Sequence, residues 1–433
     1  MNNISVVFKE VLRSALFRSM GLYTAANFLN AAIPFILLPL LTTYLKADEY
    51  GKLSIVQVLI SFTLPFVSIN INGSIGVEYF RMSKDSLSKY ISTAVILPFI
   101  ASVLFFLIFL LFGHFIAENF SIDFKWLLYI PLFALLQSIT QVVLAIYQAA
   151  GKPIYYGFFQ VGITLLNIIL SFLFVIEFQL SWESRLYAIL YSSFFFFILS
   201  FVILWRMGFL LFSFQKEHVN SILKFGIPLI PHAIGGSLIA MSDRLMISRL
   251  VGIHAVGIYV VGYQVGMIMM MIQDSFNRAW APHLFSKLTN ITEEGKLLLV
   301  KRSYVIMAGM IACFLFIYSL TPFIFEYFVN EKFHEAKKYV FWILLGFCFL
   351  GMYKVVTNYI FYQRKTYILA LLTFGCAVFS IGMNYIFIGS YGAIGAAYVN
   401  AITWLVFFIL TWFLSNKVFP LPWFYFLSRR RTI

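Results

Sequence analysis

The sequence predicts an all-α integral membrane protein: about twelve transmembrane helices, in two six-helix lobes forming a central cavity. Three observations lead there. Of 433 residues 62% are apolar and only 11% charged, where a soluble domain carries roughly 25% charged residues. The apolar residues gather into runs long enough to cross a bilayer, which takes about 20 residues of helix. The basic residues crowd onto alternate connections between these runs, as they do on loops that face the cytoplasm.

The runs lie at 20–45, 53–75, 91–113, 126–148, 154–178 and 186–212, then at 225–248, 255–277, 303–328, 339–361, 367–389 and 392–414. None sustains a period-two alternation, which argues against a closed β-barrel. The first run follows Lys9, Arg13 and Arg18 as a signal peptide would. Its length exceeds a signal's apolar core, so it reads as a retained span. With the N-terminus in the cytoplasm, the cytoplasmic segments hold 21 of the 31 basic residues and the opposite side eight, while Arg244 and Lys354 lie within spans. Both termini are therefore expected in the cytoplasm. The net charge of +14 then records topology rather than a nucleic-acid partner, and Arg429 to Arg431 read as a stop-transfer and anionic-lipid anchor.

An even number of spans divides at the cytoplasmic connection into lobes of residues 1–212 and 213–433. Short internal matches support a parallel repeat. Tyr44-Leu45-Lys46-Ala47-Asp48-Glu49-Tyr50-Gly51 resembles Arg249-Leu250-Val251-Gly252-Ile253-His254-Ala255-Val256-Gly257, and Ile146-Tyr147-Gln148 matches Phe361-Tyr362-Gln363. Each of the latter precedes a basic turn and a span holding Asn167 or Asn384. In a parallel repeat two bundles flank a site near the membrane midplane. Pro34 and Pro39 in span one, and Pro228 and Pro231 in span seven, should bend the first helix of each half.

A charge at the centre of a spanning helix costs about 2.5–3.5 kcal/mol, so intramembrane polar groups should face protein or a water-filled cavity. In span eight Gln264, Met267, Met271, Asp274 and Arg278 fall within an arc of about 80° at helical phase. His232, Gly236 and Asp243 share a face of span seven. Gln137, Gln141 and Gln148 do so in span four, and Gln160, Thr164, Asn167 and Ser171 in span five. Such stripes either line a polar path or glue helices together. Asp243 beside Arg244, and Asp274 a turn before Arg278, are either functional charges or neutralising pairs. Glu78 and Arg81 close span two near the headgroups. Lys354, with Gly351 and Asn358 on its face and no acid nearby in its span, reads as a counter-charge for an anion.

Several chemistries find no support. There is no GxxxxGK[ST] phosphate loop, no HExxH, and no spaced Cys/His cluster; Cys313, Cys348 and Cys376 sit singly in apolar runs. The external segments near 118–125 and 328–338 are too short for the acid/base loop of a membrane glycosyltransferase or glycan polymerase. No metal or cofactor is expected.

Certain stretches resemble a known family. Pro34-Phe35-Ile36-Leu37-Leu38-Pro39-Leu40-Leu41-Thr42-Thr43-Tyr44-Leu45 followed by Glu49-Tyr50-Gly51, then Glu78-Tyr79-Phe80-Arg81, Ser242-Asp243-Arg244-Leu245-Met246-Ile247-Ser248 and Gly257-Ile258-Tyr259, are similar to the Wzx-type O-antigen flippases. These are polysaccharide transporters of the superfamily that also holds the multidrug and toxin extruders (MATE) and the peptidoglycan-precursor flippase. The resemblance implies a MATE-like architecture in the bacterial inner membrane. It implies alternating access that carries an undecaprenyl-diphosphate-linked oligosaccharide to the periplasmic leaflet, with coupling to H+ or Na+ in some members. Expected partners are that lipid-linked glycan, membrane lipids, and polysaccharide polymerase and chain-length proteins, with the chain itself a monomer. On this reading Arg244, Arg278, Lys354, Arg81, Gln264, Gln141 and Asn167 contact substrate, while Asp243, Asp274 and Glu78 tune charge or couple ions. An ion-coupled drug exporter is the alternative function.

Overall fold

The computed structural model describes residues 29, 33–178, 181–211, 213–288, 291–363 and 365–423. The first part of the expected first span lies outside them, as do both basic termini and Arg364. Among the described residues there is no strand, and eleven helices are long and apolar enough to cross a membrane. The all-α membrane architecture is thus as the composition requires. The chain packs as two compact units, one ending at Ser237 and the other beginning at Leu238.

The first unit holds α1 (Leu38–Tyr44), α2 (Ala47–Ser68), α3 (Ile71–Glu78), α4 (Lys84–Phe120), α5 (Phe124–Ala149), α6 (Pro153–Leu173), α7 (Glu183–Arg206) and α8 (Lys216–Gly226). At its centre is α5, packed against α2, α3, α4, α6 and α7. Apart from the Gln137, Gln141 and Gln148 stripe its sequence is largely apolar, and Ile130, Phe133, Ile139, Val142, Val143 and Ile146 are fully buried, as expected of a helix surrounded by others.

Helix α9 (Ile230–Leu250) crosses the division. The second unit continues with α10 (Ile253–Leu288), α11 (Glu293–Phe328), α12 (Lys337–Tyr362), α13 (Thr366–Tyr391) and α14 (Ala393–Val418). Here α12 is central, packed against α10, α11, α13 and α14. Two helices of each unit match in length. α4 and α11 are 37 and 36 residues long, and α5 and α12 are 26 residues each. The hydroxyls of Ser83 and Thr292 cap α4 and α11 by accepting from the N–H groups of Ser86 and Gly295.

Three local features differ from a plain helix count. The expected span at 53–75 is broken between α2 and α3 by Ile69 and Asn70, both left-handed at φ 49° and 50°. That conformation costs roughly 1–2 kcal/mol for a residue with a Cβ, so packing must impose it. The end of α8 is seated against the break: the Asn70 amide donates to the Gly226 carbonyl at 3.4 Å, and a Cβ on Gly226 would collide with the Ile69 carbonyl oxygen.

The connection near 212–224, expected as a loop, carries the amphipathic α8, whose Ile222 is fully buried. It is strapped to α4. Ser92 Oγ donates to the Phe209 carbonyl at 2.8 Å and accepts from the Leu211 N–H at 2.9 Å, and Thr93 Oγ1 accepts from the Gln215 N–H at 3.3 Å. The packing division therefore falls beyond the connection, inside α9, while lobes of 1–212 and 213–433 remain a proposal about the repeat. The prolines act as expected: Pro228 sits in a 3-10 turn, Ile227–Leu229, that separates α8 from α9, and Pro39 lies in the first turn of α1 after a break at Leu37.

Within the second unit α10 and α12 run side by side in the same direction. Tyr259 meets Tyr339 and Tyr263 meets Phe347, each with ring centroids 5.5 Å apart. Gly262 and Gly266 allow this approach, since a Cβ on the first would lie 2.8 Å from the Ala336 carbonyl oxygen and one on the second would overlap the Ile343 side chain. Gly266→Val should therefore cost about 1–3 kcal/mol by overpacking and lower the melting temperature of the purified protein. Gly309→Val on α11, where a Cβ meets nothing within 4 Å, should leave it nearly unchanged.

Candidate functional site

The intramembrane charges of the second unit gather where α10 and α12 run together. Lys354 of α12 forms an ion pair with Asp274 of α10. A turn further on, the Asn358 amide donates to Asn277 Oδ1 at 3.0 Å. A turn before, Gly351 lies against Gln273, whose side chain is wholly buried and whose two amide atoms have no hydrogen-bond partner. Lys354 is thus not a lone cation: its acid comes from the neighbouring helix. By the same contact Asp274 is neutralised by Lys354 rather than by Arg278, which is exposed.

Helical phase explains the split. Val261, Val265, Met269 and Gln273 are buried, whereas Gln264, Met267, Met271 and Asp274 are only half-buried and Arg278 is exposed. The stripe read from the sequence is the less buried side of α10, along which Asp274 meets Lys354 of α12.

Asp243 and Arg244 on α9 are each less than a tenth exposed. Asp243 accepts from the Tyr259 hydroxyl at 2.5 Å and from the Arg244 backbone N–H at 2.7 Å. The Arg244 guanidinium lies over the Tyr263 ring at 4.8 Å, with its Nε unpartnered. A cation over a ring keeps part of its stabilisation without spending its donors, which leaves hydrogen-bonding capacity for an anion. The side chain of His232, expected on the same face, is outside the description.

Glu78 and Arg81 pair at 3.7 Å, but the Arg81 side chain is 70% exposed, where such a pair contributes little. In the first unit Asn167 serves to join helices: its amide donates to Ser192 Oγ on α7 at 3.1 Å. Ser171 in turn accepts from Arg185 Nη1 at 2.9 Å. Gln141, Gln148 and Gln160 instead line a cavity of about 610 Å³ with Asn72, Phe80 and Tyr156.

The model of the family described as "Polysaccharide biosynthesis protein" matches residues 16–288 of the chain. The chain belongs to that family. A relative from the Lsg locus of Haemophilus influenzae is 24% identical over 372 residues, spanning 81% of this chain and 85% of that protein. The fold is shared with an inward-facing MATE multidrug transporter (TM-score 0.69, 14% identity, 89% of this chain and 94% of that one). It is shared too with the lipid II flippase MurJ in an inward closed conformation (TM-score 0.69, 14% identity, 93% and 86%).

For this polysaccharide biosynthesis family member, the polar groups missed from the sequence are instructive. Gln273 is adjacent to Asp274 but on the opposite, buried face, and phase alone would have placed it there. Arg185, counted among the outer loop bases, is 6% exposed in the first turn of α7 with its Nε unpartnered. The sequence gives no sign of this, because the apolar run begins just beyond it. A buried charge lacking an acidic partner destabilises, so Arg185→Met should match or exceed the wild-type melting temperature. Ser171→Ala, which strips Arg185 of its acceptor, should cost about 1–3 kcal/mol.

Proposed function

We propose that this chain is a flippase that moves an undecaprenyl-diphosphate-linked saccharide repeat unit, of the O-antigen or a similar surface polysaccharide, from the cytoplasmic to the periplasmic leaflet. The observation that carries the reading is the Lys354–Asp274 pair within the spans of a polysaccharide biosynthesis family member. A diphosphate crossing the membrane interior needs a cation, and a cation waiting there needs a counter-charge. Asp274 supplies it when the carrier is empty. On binding, the diphosphate would replace Asp274 at Lys354, so that no charge is left bare. Arg244, with Nε unspent, is the second contact. Arg278 and Gln264 lie on the same open face of α10 as Asp274.

The exporter alternative is less well supported. A carrier of cationic drugs needs an acid free to meet the cation, and among the described residues Asp274 is held by Lys354 and Asp243 by the Tyr259 hydroxyl. Coupling to H+ or Na+ would act through the half-buried Asp274, since neutralising it would release Lys354. Glu78 and Arg81, near the membrane surface, have the weakest support of the expected site residues.

In the bacterial host, Lys354→Ala and Arg244→Ala, expressed at wild-type level, should each lower surface polysaccharide about tenfold or more, and Lys354→Arg should restore most of the loss. Wild-type polysaccharide in both alanine variants overturns the charged-contact reading. The proposed orientation is checked separately. A single cysteine at Glu118 or Glu331, both exposed, should react with a membrane-impermeant maleimide from the periplasm of intact cells.

A further inference from the structure

The cavity of the first unit has a chemistry different from the charged face of α10. Asn72 of α3, Gln141 and Gln148 of α5 and Gln160 of α6 supply four side-chain amides to its wall. None of the four hydrogen-bonds another described residue. Phe80 and Tyr156 add two rings, and among the described residues no charged side chain lines the space. Its volume of about 610 Å³ lies within the range of small-molecule sites, roughly 300–1,000 Å³.

Gln160 is buried and Gln141 half-buried, where an idle amide is costly, while Asn72 and Gln148 are exposed at the rim. Each amide presents an acceptor and two donors, the set that matches the paired hydroxyls of a sugar, while aromatic rings cover its C–H faces. An acyl chain would leave all four amides unmet. A carboxylate would enter with no cation to receive it. We infer that this cavity is a subsite for an uncharged sugar of the carried glycan, separate from the basic groups that would meet the diphosphate. The inference rests on the flippase reading above. It assigns recognition of the saccharide to α3, α5 and α6, beside the α5–α6 turn, one of the connections expected at the cytoplasmic surface.

The small residues of α3 make the room. A Cβ on Gly73 would touch Phe225 of α8 at 3.3 Å, so that glycine serves packing, whereas a Cβ on Gly76 meets nothing within 4 Å. Gly76 is therefore the position whose size sets what the subsite admits. A leucine there should intrude on the cavity, since its Cβ has room.

The test is saturation-transfer NMR on the full-length protein in detergent micelles, with methyl α-glucoside and N-acetylglucosamine as neutral probes and glucuronate as the acidic one. At least one neutral sugar should give a signal that Gly76→Leu and the double variant Gln141→Leu/Gln160→Leu reduce fivefold or more. Gly76→Ala should keep it, glucuronate should give little, and Gly76→Leu should melt at the wild-type temperature. Absence of any neutral-sugar signal, equal signals in wild type and Gly76→Leu, or a glucuronate signal as strong as the neutral ones overturns the inference. Binding is read without transport, so the two proposals fail separately. Lys354→Ala should keep the sugar signal while losing surface polysaccharide. Wild-type polysaccharide in Lys354→Ala with sugar binding intact would remove the charged-contact reading and leave the subsite standing.

Discussion

Hydrocarbon offers no hydrogen bond and no counter-ion, and many polar side chains in these spans are paired within the protein accordingly. The hydroxyls of Ser138, Ser200 and Thr373 bond back to carbonyls of their own helices, at 2.6–2.7 Å. Asn167, Ser171 and Arg185 tie α6 to α7, and Asn277, Asn358, Asp274 and Lys354 tie α10 to α12. Among the buried groups that escape this rule are Arg244 Nε, both amide atoms of Gln273 and the hydroxyls of Ser54, Thr357 and Thr403. In a lipid-bound fold, an unmet polar group points to a ligand more sharply than it would in water.

The same constraint shapes the architecture. A spanning helix surrounded by protein can be apolar on all sides, and α5 and α12 hold that central place in their respective units. Their neighbours α4 and α11 are long, capped by a hydroxyl at the N-terminus, and rich in exposed Phe, Leu and Ile, the surface that lipid covers. The match between halves is thus one of roles more than of residues, since only the positions that touch another helix or a substrate restrict side-chain choice.

How far the sequence could be read follows from this. Span number and helical class were legible because hydropathy is a long, averaged signal. The half-buried stripe of α10 was legible because phase survives without knowledge of partners. Pairing was not: Lys354 and Asp274 lie far apart in the chain, and Arg278, only four residues from Asp274, was the nearer candidate on paper. Nor could hydropathy disclose the break at Ile69–Asn70. No glycine or proline occupies it, and the conformation is imposed by the close approach of Gly226, a contact between distant segments. Asn167 and Gln160 belong to one stripe on one helix. Yet the first joins α6 to α7 and the second borders a cavity, a difference only the neighbouring helices decide.

The strap formed by Ser92 and Thr93 bears on how such a molecule can be taken apart. A chain severed at residue 212, where the repeat suggests a seam, would strand α8 on the wrong fragment. The first piece would lose the Gln215 N–H from which Thr93 Oγ1 accepts, and the apolar patch beneath Ile222 would be laid open. The packing division lies further along, past Gly226 and the 3-10 turn around Pro228, between Ser237 and Leu238 of α9. The seam expected at residue 212 and the division between the packed units are thus different places on the same polypeptide.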